Sequence, residues 1–183
     1  MKLKTIPLLL CLSALSLGAN AKNEVTFSAG ISSFAEIQNF SYSDGDEGEY
    51  TLGGLQFIGA ANLNDNLQAQ ITLYSAEEEG FSDVKVSGNT LRMNFGKGFQ
   101  NEGFKAYGSV GLFNEKLKND SANFSESVNG LEFGAAIGYN FEAVSLDWGF
   151  TIRDSSDYET DKITSSDTDV TVTTGYLALT GNF

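Results

Sequence analysis

Apolar and polar residues alternate without interruption from Val144 to Arg153. The residues on one side of an extended chain are Val144, Leu146, Trp148, Phe150 and Ile152, and those on the other are Ser145, Asp147, Gly149, Thr151 and Arg153. A helix would mix the two sets. Because large hydrophobic side chains fill one side while a carboxylate and a guanidinium occupy the other, we predict a strand between lipid and a polar interior.

The same alternation recurs along the chain, and the sequence predicts eight strands. They cover Glu24 to Ile37, Leu55 to Leu63, Leu67 to Tyr74, Val84 to Phe95, Phe104 to Phe113, Leu131 to Phe141, Val144 to Arg153 and about Val172 to Phe183. Ile58, Val84 and Val86 break the pattern. For the two valines, a β-bulge or a strand top that stands clear of the membrane would explain the change of phase.

The predicted connections alternate between long and short. The long ones are Gln38 to Gly53, Ala76 to Asp83, Glu115 to Asn129 and Asp154 to Thr171, and the short ones lie near Asn64-Asp65, Gly98 to Gly103 and Glu142-Ala143. Long loops on one rim and tight turns on the other are typical of bacterial outer-membrane barrels. The predicted fold is therefore all-β, an eight-stranded antiparallel up-and-down transmembrane β-barrel.

A weak repeat supports this arrangement. Every second predicted strand ends in asparagine followed by an apolar residue, at Asn62-Leu63, Asn94-Phe95, Asn140-Phe141 and Asn182-Phe183. In the predicted phase each asparagine faces the interior, and each apolar partner faces lipid at the periplasmic rim, where aromatic girdles lie.

The first residues of the chain predict export. Met1 to Lys4 form a positive segment, Ile6 to Leu17 an apolar one, and Ala19-Asn-Ala21 fits a signal-peptidase site. A membrane-spanning helix is the alternative, but it needs about 20 apolar residues. We expect a signal peptide over residues 1–21, cleavage after Ala21, and a barrel domain over residues 22–183. Cys11 would be discarded with the signal peptide.

Composition narrows the function further. Residues 22–183 contain no cysteine, histidine or proline, so no disulfide framework is expected. The most frequent general base and metal ligand is missing, and no activated nucleophile stands out. We therefore expect neither an enzyme nor a cofactor. The net charge of the whole chain is −13, and losing Lys2 and Lys4 would make it more negative, which argues against nucleic acid as a partner.

The predicted long connections carry most of the acidic residues, 17 of 24. The main clusters are Asp44, Asp46, Glu47 and Glu49; Glu77, Glu78, Glu79 and Asp83; and Asp154, Asp157, Glu159, Asp161, Asp167 and Asp169. None follows a known calcium-loop spacing. We interpret them as solvated, self-repelling faces and predict no metal site; loops ordered by divalent ions are the alternative.

Charged residues are also predicted inside the barrel. Four of them lie on successive strands, face the interior and sum to zero: Arg92, Lys105, Glu132 and Asp147. Since side chains just fill an eight-stranded barrel, we predict a structural network in which these charges pair with one another and with Gln68, Gln70, Tyr107 and Thr151. A gated ion path is the alternative.

Two motifs complete the picture, Gly138-Tyr-Asn-Phe141 and the closing Leu177-Ala-Leu-Thr-Gly-Asn-Phe183. With them the chain resembles the small eight-stranded outer-membrane proteins of the Ail and outer-membrane-protein-X type, within the OmpA-like barrels. The resemblance implies a non-enzymatic membrane protein, and in some members adhesion or invasion. Leu177, Leu179 and Phe183 look like the signal read by the barrel-assembly machinery, from which Gly181 departs. Adhesion to heparin-like polyanions is not carried over, because the connections are acidic.

We therefore expect a monomer in the outer membrane of a Gram-negative bacterium, in contact with lipid and lipopolysaccharide. Its expected role is structural or adhesion-type, through long acidic extracellular loops that bind an unidentified host or surface ligand. A narrow channel for small or hydrophobic solutes is the alternative. A soluble lipocalin-like barrel fits less well, because reversing the two faces would bury Arg92 and Asp147 among hydrophobic residues.

Overall fold

The computed structural model describes residues 24–42, 45–78, 81–119, 123–154, 158 and 168–183. These residues form eight strands: β1 Thr26–Tyr42, β2 Glu47–Asn64, β3 Leu67–Glu78, β4 Phe81–Lys97, β5 Gly103–Asn119, β6 Phe124–Asn140, β7 Val144–Arg153 and β8 Thr168–Asn182. Within the described ranges, no helix is long and apolar enough to cross a bilayer.

Each strand pairs with its neighbours in antiparallel fashion, and β8 pairs with β1 to close the sheet. The predicted up-and-down barrel of eight antiparallel strands is confirmed. We call the rim at which β1 begins and β8 ends the terminal rim, and the opposite one the distal rim. Closure satisfies the backbone groups that an open sheet would leave at its edges.

The two faces of β7 separate as the alternation predicts. Its residues are exposed and buried in strict succession, with Trp148 59% exposed and the adjacent Asp147 5% exposed. Large hydrophobic side chains are exposed on all eight strands and form a continuous outward band, which includes Phe57, Leu73 and Phe133. Because water would not favour such a surface, the band is the part that lipid must cover.

The predicted loops are largely wrong, because the strands run further than the sequence indicated. Only residues 43–46, 79–80 and 120–123 separate β1 from β2, β3 from β4 and β5 from β6. The connection between β7 and β8, residues 154–167, is the long one. The added stretches carry polar outward side chains such as Asn39, Glu49 and Lys116, and their polar composition resembled that of loops.

Strand β5 shows how the pattern changes toward the distal rim. Its outward residues are Phe104, Ala106, Gly108, Val110, Leu112, Asn114, Lys116 and Lys118, and its inward residues are Lys105, Tyr107, Ser109, Gly111, Phe113, Glu115, Leu117 and Asn119. The outward face therefore becomes polar after Leu112, while the buried face gains Phe113 and Leu117. The distal part of the barrel has the apolar inside and polar outside of a soluble protein.

This reversal also explains the two valines that broke the alternation. Val86 is 1% exposed, and it lies in an uninterrupted ladder between β4 and β5. Its change of phase therefore reflects a strand top that stands clear of the apolar band. Val84 lies in the same ladder, opposite Asn119, and packs against the buried apolar residues, so the strand-top explanation applies to both valines. The register shift between β3 and β4 at Glu77/Glu78 lies beside Val84 but does not change its inward phase.

The asparagine repeat follows the prediction except at Leu63. Asn62, Asn94 and Asn140 are buried, and the aromatic residues that follow Asn94, Asn140 and Asn182 are exposed. Leu63, predicted to face lipid, is 5% exposed. The register between β2 and β3 shifts between Asn62 and Asn64, which removes Leu63 from the alternation.

Candidate functional site in the barrel interior

The four predicted interior charges are buried and form two separate pairs. Arg92 on β4 donates through Nε to Glu132 Oε1 on β6. Lys105 Nζ on β5 donates to Asp147 Oδ2 on β7 at 2.8 Å and to Ser145 Oγ at 2.7 Å. Each pair joins strands that are not neighbours in the sheet, so both pairs bridge the interior.

Glycine provides the room for both pairs. Gly111 lies opposite Arg92 in the ladder, and Gly138 lies opposite Asp147. A Cβ atom at Gly111 would meet the Arg92 side chain, and one at Gly138 would meet the Asp147 carboxylate. Small inward residues therefore make space for long or charged side chains on the next strand.

The predicted neutral partners Gln68 and Gln70 bond to other neutral residues of the interior instead of to the charges. Gln68 Nε2 donates to Asn62 Oδ1 at 2.6 Å, and Asn94 Nδ2 donates to Gln68 Oε1 and Gln70 Oε1 at 2.6 and 2.8 Å. Tyr107 does contact a charge, since Lys105 Nζ lies 5.9 Å from its ring centre. The Thr151 hydroxyl has no hydrogen-bond partner among the described residues.

A second charged cluster, missed by the sequence analysis, lies closer to the distal rim. Arg153 Nη1 donates to Glu36 Oε2 at 2.7 Å and to Glu115 Oε2 at 2.5 Å. Tyr74 and Tyr158 each donate a hydroxyl hydrogen bond to Glu115 at 2.8 Å. The cluster therefore ties β1, β3, β5 and β7 to the β7–β8 connection.

Aromatic rings shield this cluster. The Arg153 guanidinium lies 4.9 Å from the Phe113 ring centre and 5.2 Å from that of Tyr74. Burial and the neighbouring Glu115 carboxylate raise the pKa of the Tyr158 hydroxyl, so it keeps its proton and remains a donor. Glu36 and Arg153 are on predicted strands, but the sequence places Glu115 in a predicted loop, so the sequence analysis does not predict the cluster.

The interior charges do not balance. Counting both groups, the buried acids among the described residues are Glu36, Glu115, Glu132 and Asp147, and the buried bases are Arg92, Lys105 and Arg153. Fully ionised, this set has one carboxylate in excess, whereas the four predicted residues sum to zero. Arg153 forms ion pairs with both Glu36 and Glu115, and its Nε also lies 3.7 Å from Glu132 Oε2, which links the second cluster to the Arg92–Glu132 pair.

An apolar layer closes the interior around and beyond the second cluster. In the ladders Leu52, Val128 and Val172 lie opposite Glu36, Glu115 and Arg153, and Phe40 and Val86 lie further toward the distal rim. Its buried members include Phe40, Leu52, Val86, Val128 and Val172, contributed by five different strands. Val128 and Val172 are 0% exposed. A packed apolar layer of this kind holds neither ions nor a continuous file of water.

The turn between β4 and β5 closes the terminal rim. Gly98 and Gly103 take positive φ angles of 90° and 117°, which turns the chain across the opening. Phe99 is 3% exposed, with its ring centre 5.2 Å from that of Tyr107. The side-chain amide of Asn140 donates to Gly98 O, which fixes the turn in place.

The space seen between the described residues of the interior is small. A cavity of about 20 Å³ lies among Ile58, Gln70, Lys105, Asp147 and Tyr176, which is room for about one water molecule. A larger recess of about 240 Å³, bordered by Phe99, Glu102 and Phe183, lies at the terminal rim. The interior described here suits packing better than transport.

The remaining predicted residues lie outside this interior. Leu177, Leu179 and Phe183 are 50%, 52% and 76% exposed on the outer surface near the terminal rim. The cleavage site at Ala21 lies outside the described residues, as do Asp44, Glu79, Asp157, Glu159, Asp161 and Asp167. In the described part of the chain, no group of three or more histidine, cysteine, aspartate or glutamate side chains is arranged to hold a metal ion.

Comparison with known proteins identifies the fold. The family of the outer membrane protein beta-barrel domain matches residues 8–183, and no curated protein sequence matches. Neisserial surface protein A is 14% identical, with a TM-score of 0.61, over 88% of this chain and 100% of that one. Ail of Yersinia pestis is 16% identical, with a TM-score of 0.54, over 85% and 98%. OprG of Pseudomonas aeruginosa is 13% identical, with a TM-score of 0.55, over 86% and 96%.

Proposed function

The chain belongs to the outer membrane protein beta-barrel domain family and is a transmembrane barrel of the Gram-negative outer membrane, and from this premise we propose that it is a closed surface-interaction barrel. It acts as a monomer, without enzymatic activity or a cofactor. It presents its distal rim to ligands outside the cell.

The filled interior is the observation that carries the proposal. A transport path would have to pass the turn around Phe99, the two ion pairs, the Arg153 cluster and the apolar layer around Val128 and Val172. The ion pairs would have to separate inside the barrel, where an unpaired charge costs several kcal/mol. This argues against both an aqueous channel and a path for hydrophobic solutes.

The surface offered to a ligand is a rigid wall and not a set of four long loops. Strands β1 to β6 project beyond the apolar band with polar outward side chains: Asn39, Ser41, Glu47, Glu49, Ser75, Glu77, Lys85, Ser87, Asn114, Lys116, Lys118, Ser125, Ser127 and Asn129. The long connection, residues 154–167, joins this wall beside Arg153 and adds several acidic residues. Binding residues on a rigid scaffold lose less conformational entropy than residues on flexible loops.

Attachment is the form of surface interaction to test first. Ail, which shares this fold, is named as an attachment invasion locus protein. At 16% identity that name is a reason to test adhesion by this chain, and the ligand has to be found by experiment. The acidic distal surface favours a cationic ligand or one bound through neutral hydrogen bonds.

Two measurements test the proposal together. Purified protein in a planar bilayer should show little conductance; stable open channels would favour the alternative of a narrow channel. Whole cells that express the protein should bind epithelial cells or matrix proteins more strongly than cells without it. Deletion of residues 159–167, which leaves the buried Tyr158 in place, should reduce the binding. Equal binding by cells with and without the gene would contradict the adhesion role.

A further inference from the structure

The buried cluster around Arg153 carries a negative charge that no described base balances. Arg153 donates to both Glu36 and Glu115, and its Nε lies 3.7 Å from Glu132, which pairs with Arg92. Three carboxylates therefore face two guanidinium groups, and the set has a net charge of −1 when all are ionised. The other interior ion pair is neutral by itself and leaves no spare cation.

Water does not reach this excess charge. Glu36 and Glu115 are both 0% exposed. In the ladders they lie opposite Leu52 and Val128, which are buried members of the apolar layer. Because an uncompensated ion inside a protein has a large desolvation cost, a buried carboxylate in excess takes up a proton and becomes neutral. We therefore expect one carboxyl of the cluster to be protonated under conditions in which an exposed glutamate is ionised.

The cluster lies in the distal part of the barrel and not among the lipid-facing residues. Glu115 stands between Asn114 and Lys116, whose polar side chains point outward, and Tyr158 reaches it from the connection after β7. Its surroundings are therefore those of a soluble protein core. External water, and not the hydrocarbon, is the nearest source of protons.

Glu36 is the carboxyl that fits the proton best. Glu115 accepts three hydrogen bonds, and donors directed at a carboxylate favour its ionised form. Those donors are Tyr74, Tyr158 and Arg153. Glu36 accepts from Arg153 at one oxygen and from Gln38 Nε2 at the other, at 2.7 Å. The Gln38 amide can turn over and accept a hydrogen bond, so a protonated Glu36 keeps a partner.

The elements packed against Glu36 offer no other described group that titrates near neutral pH. On the neighbouring strands, Leu52 of β2 and Thr174 of β8 lie opposite it. Glu132 on β6 is held ionised by Arg92 on β4. The remaining titratable neighbours are Tyr74 on β3 and Tyr158 in the last connection, phenols that lose their protons only at about pH 10 or above. The whole chain contains no histidine.

We propose that the folded barrel binds one proton at Glu36 in weakly acidic water, and that this proton makes its stability respond to pH without a histidine. In the unfolded chain the same side chain ionises at about pH 4.3, as a free glutamate does. The folded state therefore holds one more proton than the unfolded state from about pH 4.5 to neutral pH, and stability falls as the pH rises through this range. Mild acid thus stabilises the distal part of the barrel. The proton site does not depend on the surface ligand proposed above.

Urea unfolding in zwitterionic phospholipid vesicles at about pH 5, 6, 7 and 8 tests the site, because the chain has no histidine to titrate in that range. The folding equilibrium constant of the wild type should fall by up to about tenfold per pH unit, and by roughly 10- to 100-fold overall. Glu36→Gln keeps a neutral group of the same shape, so its equilibrium constant should not change with pH. Glu115→Gln restores the charge balance and should also be nearly independent of pH. The matched control is Glu49→Gln, because Glu49 is exposed on the outer wall of β2 and should keep the wild-type dependence.

Infrared spectra of the folded protein give a second measurement that requires no unfolding. A protonated carboxyl has its own C=O stretching band, which should disappear from the wild type between about pH 5 and 8 and be absent from Glu36→Gln. A wild type whose stability and carboxyl band stay constant over this range would overturn the proposal. A Glu36→Gln variant as pH-dependent as the wild type would overturn it too. If Glu36→Gln does not fold, the infrared band of the wild type and its loss in Glu115→Gln decide.

Discussion

Replacing Arg153 by methionine should destabilise the barrel strongly. The substitution keeps an unbranched, flexible stem but leaves Glu36 and Glu115, both 0% exposed, without the guanidinium they share. It also removes the hydrogen bonds from Arg153 to Tyr74 and Tyr158. Breaking a buried ion pair by removing one partner costs about 3–5 kcal/mol, because the other charge stays buried. The other interior cations are already paired, Arg92 with Glu132 and Lys105 with Asp147.

Urea unfolding of the protein in phospholipid vesicles would measure this loss. Trp148 is the one tryptophan of the chain and is 59% exposed on the outward face, so its emission reports on the loss of lipid contact. With a slope of about 1–3 kcal/mol per molar urea, the midpoint should fall by roughly 1–5 M.

Glu115→Gln is the matched control, since it changes the same cluster and removes the excess carboxylate. It keeps a side chain that can accept from Tyr74 and Tyr158, and Arg153 keeps Glu36. It should destabilise the barrel much less than Arg153→Met, because it leaves three buried acids and three buried bases and therefore no uncompensated buried charge. The double variant Arg153→Met with Glu115→Gln should recover part of the loss. The charge argument is refuted if Glu115→Gln costs as much as Arg153→Met.

Three further predictions concern other parts of the barrel. Leu52 in the distal apolar layer is 1% exposed, and Leu52→Ala should lower the free energy of unfolding by about 2–5 kcal/mol in the same assay. Leu55 is 62% exposed, and Leu55→Ala should lower it clearly less. Equal losses would mean that the layer is not packed as described. Spin labels at positions 146 and 147 should differ in their relaxation by oxygen dissolved in lipid, with the label replacing Leu146 relaxed more; the opposite order would place the two faces inside out. Phe99→Ala should widen the terminal rim without raising single-channel conductance, because the Arg153 cluster and the apolar layer still close the interior, and a clear rise would assign the seal to the β4–β5 turn alone.

The alternation of side chains was enough to predict the membrane-facing part of the fold. For β7 the predicted bounds, Val144 to Arg153, are those of the structure. Along β7 every second residue faces the polar interior and the residues between them face lipid. The alternation in the sequence is therefore strong. The exposures of Trp148 and Asp147 follow directly from it.

The distal parts of the strands were not predicted from the sequence, because their alternation is the reverse of that in the membrane-facing part. Around Glu115 and Leu117 the inward residues are mixed and the outward residues are polar, which resembles loop composition. The sequence also could not predict which charged residues pair across the interior. Arg92 contacts Glu132 and Lys105 contacts Asp147 because of the strand stagger, which composition does not determine.

The apolar layer near the distal rim has a consequence for how the protein enters the membrane. Its buried residues come from seven of the eight strands and from Tyr158 in the last connection, so it cannot assemble until every hairpin tip has crossed the bilayer. The hairpin tips carry charged residues such as Glu47, Glu49 and Lys118. Moving a tip across the bilayer therefore costs free energy in either direction. Packing of the tips against one another beyond the membrane then disfavours their return. Insertion becomes effectively irreversible, because its final step buries the apolar layer in a small core with a polar exterior.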